Sequence, residues 1–168
     1  MVEESHLTPE LMACVGRTGP KRSIDVTERD IYRFSLSTGD KNPLWRDEEF
    51  AKDTPNGGIV APPFFTTTVA LEEEEIDELE ESGIGSKMGL KMAAPAPGFI
   101  GAIATSREME FGVPIRPGDT ITVQEKIVDI YEKHGRLGPM IFIVSEFTYT
   151  NQRGEVAVRE RSAIIRHR

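Results

Sequence analysis

The sequence is short of the residues that most often announce a chemistry. It has one cysteine, Cys14, in 168 residues, so it cannot form an intrachain disulfide or a cysteine-built zinc site. Cys14 itself reads as a small apolar helix residue. There are three histidines, His6, His134 and His167; two lie near the ends and one in a polar turn, and all three are expected to face solvent. A basic excess is missing too: 20 Lys and Arg against 28 Asp and Glu leave a formal charge of −8, the wrong sign for a nucleic-acid footprint. No apolar run approaches the ~20 residues that cross a bilayer. The opening MVEESHLTPE is polar and acidic, unlike a secretory leader. The 38% hydrophobic and 29% charged residues describe a folded cytoplasmic protein, expected as one domain over residues 1–168.

What is present falls into three stretches. In the first, Thr8-Pro9 is a helix start with proline at the first helical position. Residues 23–26 suit a short strand. Thr27 caps a second helix whose first turn carries Glu28 and Asp30, matching the helix dipole, and Gly39 stops it. Asp40 to Trp45 form a loop, and Asp47 to Lys52 a further turn or two of helix. In the second stretch, Asn56-Gly57-Gly58 is a turn, and Ile59-Val60-Ala61-Pro62-Pro63 leads into a helix. That helix has Phe64, Phe65, Val69, Ile76 and Leu79 at helical spacing. The glutamates from Glu72 to Glu81 form a solvated face, with a helix break near Glu72, and residues 83–98 form a flap. The third stretch is strand-rich, with strands expected at 104–111, 120–131, 140–150 and 156–166. Pro117-Gly118 marks a type II turn and residues 151–154 a hairpin. One strand, a buried helix and an antiparallel meander make an α+β domain with a curved sheet wrapped around a central helix.

Five segments then resemble a known family: FSLSTGDKNPL (34–44), GGIVAPP (57–63), PIRPGD (114–119), YEKHGR (131–136) and YTNQRGE (149–155). Their order and spacing are similar to the FAS1-like dehydratase domain, the N-terminal half of MaoC-like hydratase/dehydratases, which in some bacteria is a separate subunit. The resemblance implies a hot-dog fold, acyl thioester substrates carried on coenzyme A or acyl carrier protein, no further cofactor, and assembly with a MaoC-like partner subunit or as a homodimer.

It also implies a site. Adding water to a 2-enoyl thioester needs a base for the water, a proton for C2 and donors for the enolate-like oxygen. In hot-dog hydratases an Asp and a His share the water within a D-x-N-P-x-H pattern. Asp40, Asn42 and Pro43 match it, but Trp45 stands where the His is expected, and an indole N–H only donates. Three readings of Asp40 and Asn42 stand side by side: they hold a tight loop, they shape the acyl tunnel, or Asp40 catalyses with help from elsewhere. Trp45 and Gly58, Ile59, Val60, Ala61, Pro62 and Pro63 are the expected substrate-binding residues, with backbone amides near Val60 to Phe64 as oxyanion donors. Arg46, Lys52, Arg107 and Lys133 are candidate contacts to carrier phosphates. The leading functional reading is a subunit of an (R)-specific enoyl-thioester hydratase that leaves acid/base chemistry to a partner carrying the intact motif. A stand-alone hydratase using Asp40, a non-catalytic acyl-CoA-binding protein and a thioesterase are the alternatives.

Overall fold

Local side-chain chemistry sets the helix ends. The computed structural model describes residues 5–70, 91, 93–136 and 138–168. In helix α1 (Pro9–Met12) the Thr8 hydroxyl accepts from the Leu11 amide at 3.2 Å. After strand β1 (Arg22–Asp25), Thr27 and Asp30 form a reciprocal capping box at the start of α2 (Glu28–Thr38). Gly39, at φ 68°, ends α2: its amide donates to the Leu36 carbonyl and the next amide, that of Asp40, to the Ser35 carbonyl. These paired bonds make a Schellman motif, which needs a left-handed residue that glycine adopts without strain. A 3₁₀ turn (Pro43–Trp45) and α3 (Glu48–Lys52) follow.

Helix α4 is described from Thr66 to Ala70. It starts later than the prolines suggested. Phe64 has φ 68°, a left-handed conformation outside the helical frame, so Pro62 and Pro63 belong to the turn ahead of the helix. Phe65 and Val69 are buried, and α4 packs on β1 and β3. The expected continuation through Ile76 and Leu79, the acidic run, and the flap as far as residue 90 lie outside the described residues.

Strands β2 (Gly101–Phe111), β3 (Thr120–Gly135), β4 (Gly138–Thr150) and β5 (Val156–His167) complete an antiparallel sheet in the order β1-β3-β4-β5-β2. The Arg116–Asp119 turn before β3 closes with the Asp119 amide on the Arg116 carbonyl at 3.1 Å, with Gly118 at φ 87°, as a type II turn requires. The inner face of the sheet carries two apolar clusters. One joins Val26, Ile31, Trp45, Phe65, Val123 and Tyr149; the other joins Leu11, Phe99, Ile127, Ile141, Ile143 and Ile164. Strand alternation sets buried Glu125, Ser145, Glu160 and Ser162 between them. Ser145 donates to Glu125 Oε1 at 2.7 Å, Lys91 Nζ to Ser162 Oγ at 2.6 Å, and Arg107 Nε to Glu160 Oε1 at 3.0 Å. Pairing of this kind offsets the cost of holding polar groups in an interior. At the far edge, β2 is exposed along most of its length, including Ile103 and Phe111.

Candidate functional site

The loop after α2 is closed by its own side chains. The Schellman motif fixes Asp40 at the helix end. Asp40 Oδ1 accepts from the Asn42 amide at 3.0 Å, and Asn42 Oδ1 accepts from the Leu44 amide at 3.0 Å. These are two consecutive Asx turns, with Pro43 opening the 3₁₀ turn. That turn carries Trp45 back, so its indole Nε1 donates to Asp40 Oδ2 at 2.8 Å. The indole ring is buried in the first apolar cluster, while Asp40 and Asn42 are exposed. The Asn42 amide first, then the Trp45 indole and the nearby Arg46 guanidinium, hold the Asp40 carboxyl below its usual range. Each donor lowers the basicity of the carboxylate it binds. Asp40 is therefore a poorer base than an unbound aspartate, and its indole partner has no free lone pair with which to accept a proton.

Beside this loop lies a cleft of about 290 Å³, near the lower end of the range for small-molecule sites, roughly 300 Å³ and upward. Leu44 and Trp45 form one wall and Val60, Ala61, Pro62 and Pro63 another. Residues 111–115, with Ala157 and Val158, close it from the sheet side, and Asn56, Phe64 and Thr66 also line it. Among the described residues its lining contains no charged side chain. Phe64 and Phe111, 50% and 57% exposed, stand at the mouth. Val60, Thr66, Ile115 and Val158 are buried at its floor.

The structure thus brings together Trp45, Val60, Ala61, Pro62 and Pro63 of the expected substrate-binding set. Gly58 and Ile59 lie behind them: Ile59 is buried in the core, and Gly58, at φ 153°, carries the chain past Arg116. Asp40 and Asn42 are not part of the cleft lining. Of the expected oxyanion amides, that of Ala61 donates to the Ile115 carbonyl at 2.8 Å, and the two prolines have none. The Phe65 amide, one residue beyond that set, donates to the Pro62 carbonyl at 3.1 Å.

The four candidate phosphate contacts are engaged elsewhere. Arg46 donates to the Lys41 carbonyl, Lys52 pairs with Glu48, Arg107 with Glu160, and Lys133 lies over the Tyr131 and Phe142 rings. The histidines are also away from the cleft. His6 and His134 share Glu132 Oε1 at 2.7 and 3.2 Å. His6 and His167 are half-buried rather than open to solvent, while His134 is exposed. Cys14 is buried, as a small apolar residue would be, but it lies in the turn after α1 rather than in a helix.

An antiparallel sheet in this strand order, curled over a helix that follows the second turn, defines the class: a hot-dog domain. The comparisons give the family. Residues 13–160 match the model of the FAS1-like, dehydratase domain region, and the chain belongs to that family. It is 34% identical over 162 residues to a probable enoyl-CoA hydratase alpha subunit of Thermomonospora curvata, an alignment covering 94% of this chain and 51% of the relative. The chain therefore spans about half the length of that relative. Among solved structures, its fold is similar to a chain of the ChsH1-ChsH2 complex of Mycobacterium tuberculosis (TM-score 0.71, 22% identity, 94% of this chain and 86% of that one). It is also similar to the MaoC-like dehydratase of Rhodospirillum rubrum (TM-score 0.63, 23% identity, 92% of each chain).

Proposed function

We propose that this chain is the acyl-pocket subunit of an (R)-specific 2-enoyl-thioester hydratase, with the acid/base pair supplied by a MaoC-like partner. The observation that carries this reading is the Trp45–Asp40 bond of 2.8 Å. The loop that in the resembling hydratases aims an Asp and a His at water is matched here at Asp40, Asn42 and Pro43, but its carboxylate is tied down by a donor that cannot accept a proton. The uncharged cleft beside it suits an apolar acyl group. The carrier, coenzyme A or acyl carrier protein, would then hold its phosphates outside that cleft, since none of the described lining residues is cationic.

Two further features favour a partner. The T. curvata relative is named as an alpha subunit, and the M. tuberculosis structure is of a two-protein complex. In this chain β2 forms the edge of the sheet, long and exposed, with apolar Ile103 and Phe111 on it; a bare edge of this kind is a ready template for pairing. The test is co-expression with a small MaoC-like chain that carries the D-x-N-P-x-H motif. A stable complex on size exclusion is expected. A chain that remains alone at micromolar concentration with every such partner from its own genome would count against the reading.

A further inference from the structure

The outward face of the sheet, opposite the two apolar clusters, divides into a charged half and an apolar half. Side chains directly opposite one another on neighbouring strands share a face. In one row Lys126, Glu146, Arg161 and Glu108 stand side by side on β3, β4, β5 and β2, all four exposed. Their signs alternate across the sheet, and Arg161 Nη1 meets Glu146 Oε1 at 3.2 Å. Two rows further along, Tyr131, Phe142, Ile165 and Ile103 make an apolar stripe over the same four strands. The Tyr131 and Phe142 rings stack at 4.8 Å, and Ile103 is 53% exposed. None of the four belongs to either inner cluster. In the neighbouring rows Lys133 and Arg159 offset Asp129 and Glu110, so this face is electrically balanced although the chain carries −8.

We propose that this face binds a second copy of the chain, back to back, about a two-fold axis running along the strands between β4 and β5. Such an axis lays the surface on itself in reversed strand order. Lys126 of one copy then faces Glu108 of the other, and Glu146 faces Arg161, so every pair in the charged row has opposite sign. The stripe meets itself in the same way, Tyr131 on Ile103 and Phe142 on Ile165. Stacked sheets lie ~10 Å apart with strands within roughly 30° of each other. The β4 and β5 pairs are nearest the axis, where that rotation displaces them least. Five outward rows on four strands cover about 19 Å by about 30 Å, roughly 600 Å² per copy against ~800 Å² in a standard interface. The dimer therefore belongs at the weak end of specific association. The charge balance disfavours nucleic acid or an anionic bilayer, either of which calls for a basic patch. The β2 edge offers backbone groups in the plane of the sheet, whereas this contact is made by side chains at right angles to it, so the two surfaces can be used at once.

The experiment is sedimentation equilibrium of the full chain by itself. The wild type is expected to dimerise with a dissociation constant on the order of micromolar. Glu146→Arg alone, or Arg161→Glu alone, sets like charges against each other twice across the axis and should weaken the dimer about tenfold or more. Mixing these two variants in equal amounts restores opposite charges at both contacts, so a mixed dimer of wild-type strength is expected. The ion pair that each variant loses within its own chain is exposed and worth little, so the fold should be kept, as circular dichroism checks. Should an inner reversal unfold the chain, the exposed outer pair, Lys126→Glu mixed with Glu108→Lys, repeats the test. A wild type that stays monomeric overturns the proposal. So does a dimer indifferent to every reversal, which is the outcome expected of pairing through β2, or a loss that mixing does not repair.

Discussion

At the scale of single residues, the account turns on Asp40 and Trp45. The same carboxylate that would serve as a base is here an acceptor for two donors, one from the backbone of Asn42 and one from the indole. Trp45→Phe keeps the buried ring and removes only the N–H. The Asp40 pKa should then rise toward its ordinary value near 3.9, as followed by carboxyl NMR titration. The sign of the linked stability follows. A carboxylate whose folded pKa is depressed stabilises the fold above its unfolded pKa, and that contribution is lost as pH falls through the folded value. With the two pKa values closer together in Trp45→Phe, melting temperature should fall less steeply on acidification below about pH 4. An unchanged Asp40 titration would show that the indole bond does not form in solution. Much of this loop was legible in the sequence, because its bonds span only two to five positions. Asp40 to Asn42, Asn42 to Leu44 and Trp45 to Asp40 are all local, so the TGDKNPLW string nearly dictates its own conformation.

At the scale of elements, the termini of α2 and the break before α4 position the site. Gly39 is the hinge between α2 and the loop: nothing lies within 4 Å of where its Cβ would be, but its φ is 68°. The cost of a side chain there is conformational rather than steric. Gly39→Ala should destabilise by about 1 kcal/mol, measured by denaturant unfolding, with the loss shared by the Asp40 amide bond to Ser35 that depends on the same turn. A neutral substitution would mean that the motif frays in solution. The helix starts at Thr8, Thr27 and Asp47 were readable because each cap is a side-chain bond to an amide three residues on. The start of α4 was misjudged because Pro62 and Pro63 fit a first helical turn equally well. What moved it to Thr66 is the backbone of Phe64, which no residue type in that string announces, since a bulky side chain at positive φ is uncommon. Strand positions followed from alternation, but strand partners did not. That Arg107 on β2 meets Glu160 on β5 depends on an inter-strand register that only the assembled sheet defines, so a candidate phosphate ligand proved to be the exposed partner of a buried carboxylate.

At the scale of the whole molecule, the sheet order leaves β2 at an open edge, and the cleft opens beside it through Phe111 to Ile115. The cleft walls come from residues 44–66, 111–115 and 157–158, three regions far apart in sequence, so only the TGDKNPLW and IVAPP halves could be anticipated. The polar belt of Glu125, Ser145, Glu160 and Ser162 divides the core into two apolar clusters, and Lys91 reaches into it at the cost of a lowered ammonium pKa, chiefly through burial. The cleft, the exposed β2 edge and the tied Asp40 loop are the features that the proposed role, beside a MaoC-like partner in a larger catalytic assembly, would use. The most direct test of that central claim is hydration of crotonyl-CoA and a longer 2-enoyl-CoA, followed at the enoyl absorbance, by this chain alone, by its MaoC-like partner alone, and by the two together. The account predicts negligible turnover by this chain alone and a rise of several powers of ten for the pair. Robust turnover by this chain alone, abolished by Asp40→Asn, would contradict it.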